Sequence, residues 1–249
     1  MTADAAGSFE FPGRYYEIIR RDFRSLERET TFLGSYLPAV AGRVLDVGCG
    51  TGTTLRALSK LGHRCVGVDQ SAHFVEFARE SCGDVEYVHS NAADAELAGP
   101  FDLVTCLFVT INYMAPDDVP RLLAKVASWL APGAHFVLDM AHLLNFVDNY
   151  QPYIIAHHID EDVLITRLTR HLVRPHDANW RHDESIIVRD RGEVSMYFNA
   201  FDQYVYTVRE MTRMLDSAGL TVVGEFGAFD HSVMPTGKGH RVIVAQRPG

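Results

Sequence analysis

The chain has 249 residues, 47% of them apolar and 22% charged, enough to bury a substantial core in one large domain or in one domain with an insertion. Its 32 acidic and 23 basic side chains leave a formal net charge of -9, which argues against DNA or RNA as a partner, because neutralised phosphates supply most of that affinity. Four cysteines without C-x-x-C spacing read as free thiols in a reducing compartment, MTADAAGSFE lacks the build of a signal peptide, and the longest apolar run is too short to span a bilayer; a cytoplasmic protein with no membrane partner is expected.

Residues 1–12 read as a loose tail and 13–40 as a helix, stopped at Pro38. Along it Arg20, Arg21, Arg24 and Arg28 recur at helical spacing among Glu17, Asp22, Glu27 and Glu29, which predicts a solvated charged face. Short β-rich runs then alternate with helical ones. Strands are expected at 43–47, 64–68, 85–89, 101–107 and 135–140, with helices near 53–61, 72–81 and 118–130, the last closed by Pro132-Gly133. That alternation implies right-handed crossovers and a mostly parallel, doubly wound α/β sheet. After His142 the rhythm changes to three long β-like runs, 162–173, 180–190 and 194–206, separated by turn residues; they predict an antiparallel β meander inserted after the fifth strand. A helix with Thr207 and Glu210 spaced as a capping box and Gly219 at its end precedes two last strands, 220–226 and 239–245. The main domain is therefore expected over 1–144 and 207–249, with 145–206 as an insertion serving substrate binding or dimerisation.

The segment with the clearest chemistry is Val44-Leu45-Asp46-Val47-Gly48-Cys49-Gly50-Thr51-Gly52. An apolar strand runs into three alternate glycines and then a helix. Bare backbone lets a ligand approach closely, and the helix start offers free N–H groups to an anionic one. The second strand ends at Asp69, 19 positions after Gly50, near the roughly 20 expected of a carboxylate that accepts from ribose hydroxyls. Together they point to an adenosyl-type ligand. A dinucleotide loop would place a third small residue where Thr53 stands, which leaves a nicotinamide-dependent oxidoreductase as the alternative.

VLDVGCGTGTTL resembles the first motif of the class I S-adenosylmethionine (SAM)-dependent methyltransferases, and VGVDQS, SNAADAEL, FDLVTCLFVTINYM and WLAPGAHFVLDM extend the resemblance. It implies a Rossmann-like seven-stranded sheet with an antiparallel final strand, SAM as cofactor, and methyl transfer to a small molecule. Gly48 and Gly50 would hold the methionyl part, Asp46 its amino group and Asp69 the ribose. Gln70 would border the adenine, Asn91-Ala92 would meet it where the family has Asp-Ala, and Leu107 and Phe108 would pass near the sulfonium. Tyr15-Tyr16 with Glu29, the segment Phe108–Met114 and the insertion look most like bacterial amino-sugar and small-molecule N-methyltransferases of natural-product biosynthesis. Tyr15 is thereby expected at the cofactor. An O-methyltransferase of a small metabolite is the neighbouring reading.

An acceptor must present an unprotonated nucleophile, and a hydroxyl needs a base more than an amine does. Tyr15, Asp139 and His142 are the catalytic candidates, with Asn112 and Tyr113 nearby and His182 and His231 as weaker ones. No H-x-x-x-H or H-x-E pair sits on a clear helix, so no metal is expected. The aromatic run Tyr197, Phe198, Phe201, Tyr204 and Tyr206 reads as meander core, or as a substrate wall or homodimer face.

Overall fold

The computed structural model describes residues 11–39, 41–148, 150–237 and 239–249; most of the tail expected over 1–12, and Val40 at the end of the expected N-terminal helix, lie outside the described residues. Seven strands form the main sheet: β1 (Arg43–Val47), β2 (Arg64–Asp69), β3 (Glu86–His89), β4 (Phe101–Cys106), β5 (Leu130–Met140), β10 (Thr221–Phe226) and β11 (Arg241–Gln246). Their order is β10-β11-β5-β4-β1-β2-β3, parallel except for β11, which runs antiparallel to both of its neighbours. This is the doubly wound sheet with a reversed final strand expected from the sequence. The central strands carry apolar residues on both faces because helices cover both. Leu45, Leu103, Phe136 and Leu138 are fully buried, each contributing about 1.5–3 kcal/mol by leaving water.

Helices α3 (Thr53–Lys60), α4 (Ala72–Ser81), α5 (Asp118–Trp129) and α7 (Val208–Ser217) cover the sheet. The capping box at Thr207 and Glu210 forms as read, and Gly219 takes φ +79° behind α7. Pro132-Gly133 does not close α5. That helix stops at Trp129, and Leu130 already pairs with Phe101, so the Pro-Gly turn is an irregularity within β5.

The N-terminal segment is two helices, α1 (Gly13–Phe23) and α2 (Leu26–Gly34). Arg24 between them is extended (φ −146°), and the Ser25 side chain accepts from Arg28 N–H to start the second. The break turns Arg24 inward, and the expected solvated arginine face divides: Arg20 is 8% exposed, whereas Arg21 and Arg28 reach solvent, Arg21 paired with Asp160.

A short α6 (Leu143–Asp148) leads into the second sheet, which has four strands: β6 (Tyr153–Asp160), β7 (Val163–Arg174), β8 (Asn179–Asp190) and β9 (Glu193–Tyr204), in that order and antiparallel throughout. The first of them is absent from the sequence reading. Its inner face packs Ile165, Ile186 and Val188 against Phe11, Tyr15, Ile18 and Ile19, so α1 is held between the two sheets.

Candidate functional site

The carboxyl ends of β1, β2 and β4 open into a cavity of about 450 Å³ that runs from the glycine loop to the inner face of the second sheet. At one end the loop is tied to β2: Gly48 and Cys49 donate N–H bonds to Val68 O at 2.8 and 3.2 Å, and Gly50 N–H donates to an Asp69 carboxylate oxygen at 2.8 Å. The other Asp69 oxygen accepts from Ser71 N–H at 2.8 Å. Burial pushes the Asp69 carboxyl upward and these backbone donors oppose it. Gly48 has φ +69°, and a Cβ there would run into Thr110, so only glycine keeps this floor open.

Asp46, Gly48, Gly50, Asp69, Gln70, Asn91, Ala92 and Leu107 all line this end, so the structure brings together every cofactor residue expected from the resemblance except Tyr15. Asp46 is 4% exposed and accepts from Thr105 Oγ1 at 2.7 Å; burial, with Glu29 and Asp69 nearby, raises its carboxyl to about 7. The Asn91 amide oxygen accepts from Ala93 N–H at 2.9 Å, which turns the chain at the Ser90-Asn91-Ala92 corner. A buried carboxylate at the end of β2, a floor without side chains and a second buried acid at the end of β1 fit an adenosyl amino acid.

Tyr15 points the other way. Its ring packs with Phe11 and Tyr197 under the second sheet, and its hydroxyl donates to Asp190 at 3.0 Å. Tyr16, one position on, lines the cavity instead, its ring 4.8 Å from Phe74 and 6.3 Å from Phe108. Phe108 and Val109 take φ +61° and +53°, a costly conformation for a β-branched residue, and it aims Phe108 into the cavity.

Asp139 does not line the cavity. It is 1% exposed, pairs with Arg24 at 2.5 Å and accepts from Val109 N–H at 3.2 Å. His142 is also off the cavity: it bridges to Tyr206 on the backbone, and burial and the Arg241 guanidinium lower its pKa. Asn112 spends its amide on Ala141 and on Tyr204 O, fixing the turn that carries Tyr113. His231 stacks on Phe32 and meets the Tyr36 hydroxyl, away from the cavity. His182 lies flat on Phe201 with its pKa driven down to about 3 by burial, so it is a neutral ring behind the wall.

The acceptor end of the cavity was not legible as a unit. It is lined by Tyr113, Arg167, Glu184, Asn199, Phe201 and Tyr204. Arg167, Glu184 and Asn199 share the inward parity of Ile165, Ile186 and Tyr197, a pattern that marks polar residues on an otherwise apolar face. The aromatic run divides accordingly: Phe201 and Tyr204 line the cavity, Phe198 is exposed on the outer face, and Tyr206 enters the main core.

Residues 44–133 match the model of the methyltransferase domain family. The chain is 30% identical over 189 residues, 72% of each protein, to a dTDP-4-amino-2,3,4,6-tetradeoxy-D-glucose N,N-dimethyltransferase of Saccharopolyspora spinosa. Among solved structures it is similar to a SAM-dependent methyltransferase of Clostridium acetobutylicum (TM-score 0.82, 16% identity, covering 95% of this chain and 97% of that one). It is also similar to a SAM-bound amino pentose methyltransferase of Micromonospora echinaspora involved in calicheamicin biosynthesis (TM-score 0.75, 22% identity, covering 98% and 100%).

Proposed function

Because this chain belongs to the SAM-dependent methyltransferases, we propose that it methylates the amine of an amino sugar, or of a closely related natural-product intermediate, in the cytoplasm. The observation that carries the reading is the single cavity joining the Asp69 and glycine-loop end to a polar and aromatic wall on the second sheet. The relative of Saccharopolyspora spinosa, an N,N-dimethyltransferase of an amino sugar by name, supports the acceptor class. Free Cys49, Cys65, Cys82 and Cys106 agree with a reducing compartment, and no helix among the described residues is long and apolar enough to cross a membrane.

SAM, when bound, supplies an electrophilic methyl carbon on a sulfonium. In this reading Gly48, Gly50 and Asp46 hold its amino-acid end, Asp69 takes the ribose, and Gln70, Asn91 and Ala92 border the adenine. Tyr16, Leu107 and Phe108 exclude water between the two ends. Positioning of an unprotonated amine against the methyl carbon then provides most of the acceleration. Tyr15, Asp139 and His142 act at a distance, by holding α1, the Phe108 loop and the end of β5. Calorimetry with S-adenosylhomocysteine, together with mass-detected methyl transfer to amino-sugar acceptors, tests the reading. Asp69→Ala is expected to weaken cofactor binding by about 1–3 kcal/mol; an unchanged dissociation constant removes Asp69 from the ribose.

The second sheet also carries the proposal of a homodimer. Alternation along its strands turns Tyr153, Ile155 and Ile159 of β6, Leu168 of β7, and Val194, Met196 and Phe198 of β9 outward, and all seven are exposed. Seven apolar side chains on one sheet face exceed the singly scattered apolars of an ordinary surface, the kind of face a subunit interface covers. Light scattering is expected to give a dimer mass for the wild type and a monomer mass for Ile155→Glu/Phe198→Glu. A monomeric wild type at assay concentration sinks the idea.

A further inference from the structure

Two buried polar atoms on the wall opposite the glycine loop have no hydrogen-bond partner among the described residues: Arg167 Nε, a donor, and Asn199 Oδ1, an acceptor. Both residues line the cavity. Arg167 shares its row across the second sheet with Ile186 and Tyr197, and Asn199 shares the next row on the same inward face with Thr169 and Glu184. Glu184 ties the two together. Its side chain, 2% exposed, accepts from Arg167 Nη2, and it stands directly opposite Asn199 on the neighbouring strand, about 4.8 Å across the ladder. The guanidinium and the amide therefore flank one carboxylate on one face.

Asn199 is 7% exposed, and its inward neighbours along β9, Tyr197 and Phe201, are aromatic. Leucine would fill such a place without stranding an amide. Buried polar atoms are nearly always met, and one left open on a cavity wall marks what the cavity takes. The chemistry of the pair narrows what that is. An ether or carbonyl oxygen can only accept and an ammonium can only donate, whereas a hydroxyl does both. The nitrogen that receives the methyl group is not the occupant, because its lone pair has to face the methyl carbon rather than Arg167. Tyr113, on the turn after Phe108, feels the same pair of charges: burial pushes its hydroxyl up to about 12, with Glu184 adding to the rise and Arg167 opposing it. The wall thus adjoins the Phe108 end of the cavity.

We propose that the acceptor sugar keeps at least one free ring hydroxyl besides its amine, and that Arg167 and Asn199 read it: Arg167 Nε donates to the hydroxyl oxygen and Asn199 Oδ1 accepts from the hydroxyl. This rests on the amine reading above and deepens it, since an amino sugar stripped of its ring hydroxyls would leave both groups unmet.

The test uses two pairs of dTDP-linked probes on the full chain. One pair is 4-amino-4,6-dideoxyglucose and its 2,3-dideoxy counterpart; the other is 3-amino-3,6-dideoxyglucose and its 2,4-dideoxy counterpart. In the pair that turns over, kcat/KM for the hydroxylated sugar is expected to exceed that for its deoxy counterpart at least about a hundredfold, because a site built around a hydroxyl strands its own polar groups when the hydroxyl is missing. Asn199→Leu is expected to shrink that ratio to within about tenfold, with S-adenosylhomocysteine affinity at the wild-type level and the urea midpoint level or higher. A merely structural Asn199 would do the reverse, lowering the midpoint and leaving the ratio unmoved. Arg167→Lys keeps a cation for Glu184 but lacks the guanidinium Nε, and it is expected to shrink the ratio as well. Equal methylation of both sugars of a pair by the wild type, or a ratio that Asn199→Leu does not move, overturns the inference and leaves the amine reading standing. Methylation of none of the four sugars overturns the amino-sugar reading and the inference with it.

Discussion

Glu29→Ala is expected to lower the unfolding free energy by about 3–5 kcal/mol, the range for removing one partner of a buried ion network. Glu29 is 1% exposed. Its carboxylate accepts from Arg20 at 3.0 Å, Arg24 at 2.8 Å and Thr54 Oγ1 at 2.5 Å, so one side chain of α2 ties α1 to α3, the helix that opens behind the glycine loop. The network continues from Arg24 to Asp139 and from Asp139 to Val109 N–H, and the Arg24 guanidinium lies 4.9 Å from the Phe108 ring centroid. Alanine would leave two guanidiniums in a nearly dry place, Arg24 with Asp139 and Arg20 with the Thr54 hydroxyl. Glu29→Gln, which keeps the shape but not the charge, should fall between alanine and wild type. Since the same chain of contacts holds Phe108 over the cavity, S-adenosylhomocysteine affinity should fall along with stability. Urea unfolding of the three proteins decides it: a loss below about 1 kcal/mol for alanine would mean that the arginines find water or other partners, the fate of most exposed pairs.

That network also marks where sequence reasoning stops. The glycine loop and Asp69 were legible because strand, loop and helix are written within about twenty residues and the chemistry is local. The burial of Arg20 and Arg24 was not. Their partners Glu29, Thr54 and Asp139 lie up to 115 positions away, and a helix with alternating charges reads the same whether it meets water or a buried acid. The choice between Tyr15 and Tyr16 is a matter of helix phase. One residue is about 100° around the axis, and the phase is set by Ile18 and Ile19 packing under the second sheet rather than by the tyrosines. Strand β6 was missed because its outer positions are apolar and exposed while its inner ones include Ala156 and His158, so the usual alternation is masked. Polar inward residues on β7, β8 and β9 did carry a signal, through parity with Ile165 and Ile186, but their convergence at one wall depends on strand register that no single strand encodes.

Asp46→Asn is expected to separate stability from function. The native Asp46 carboxyl titrates at about 7, raised mainly by burial and only partly relieved by the Thr105 hydroxyl, whereas in the unfolded chain it titrates near the ordinary aspartate value of about 3.9. Below about pH 4 both states are protonated and the group is neutral to folding. From there to pH 7 the unfolded state releases its proton and the native state keeps it, so native stability declines by roughly 4 kcal/mol from this group alone and is level above pH 7. Asparagine cannot ionise, and its amide oxygen can still accept from Thr105. The asparagine protein should therefore gain on wild type steadily between pH 4 and 7, a difference that cancels every other titrating group. Cofactor binding should move the opposite way. An ammonium brought beside Asp46 draws the carboxylate form, so wild-type affinity for S-adenosylhomocysteine should rise with pH up to about 7, and the asparagine protein should bind weakly without that slope. Paired urea titrations and calorimetry at pH 5, 6, 7 and 8 check both halves. A stability difference that stays flat across that series would mean Asp46 is ionised in the native protein, and its place as the acid that waits for the cofactor's amino group would be lost.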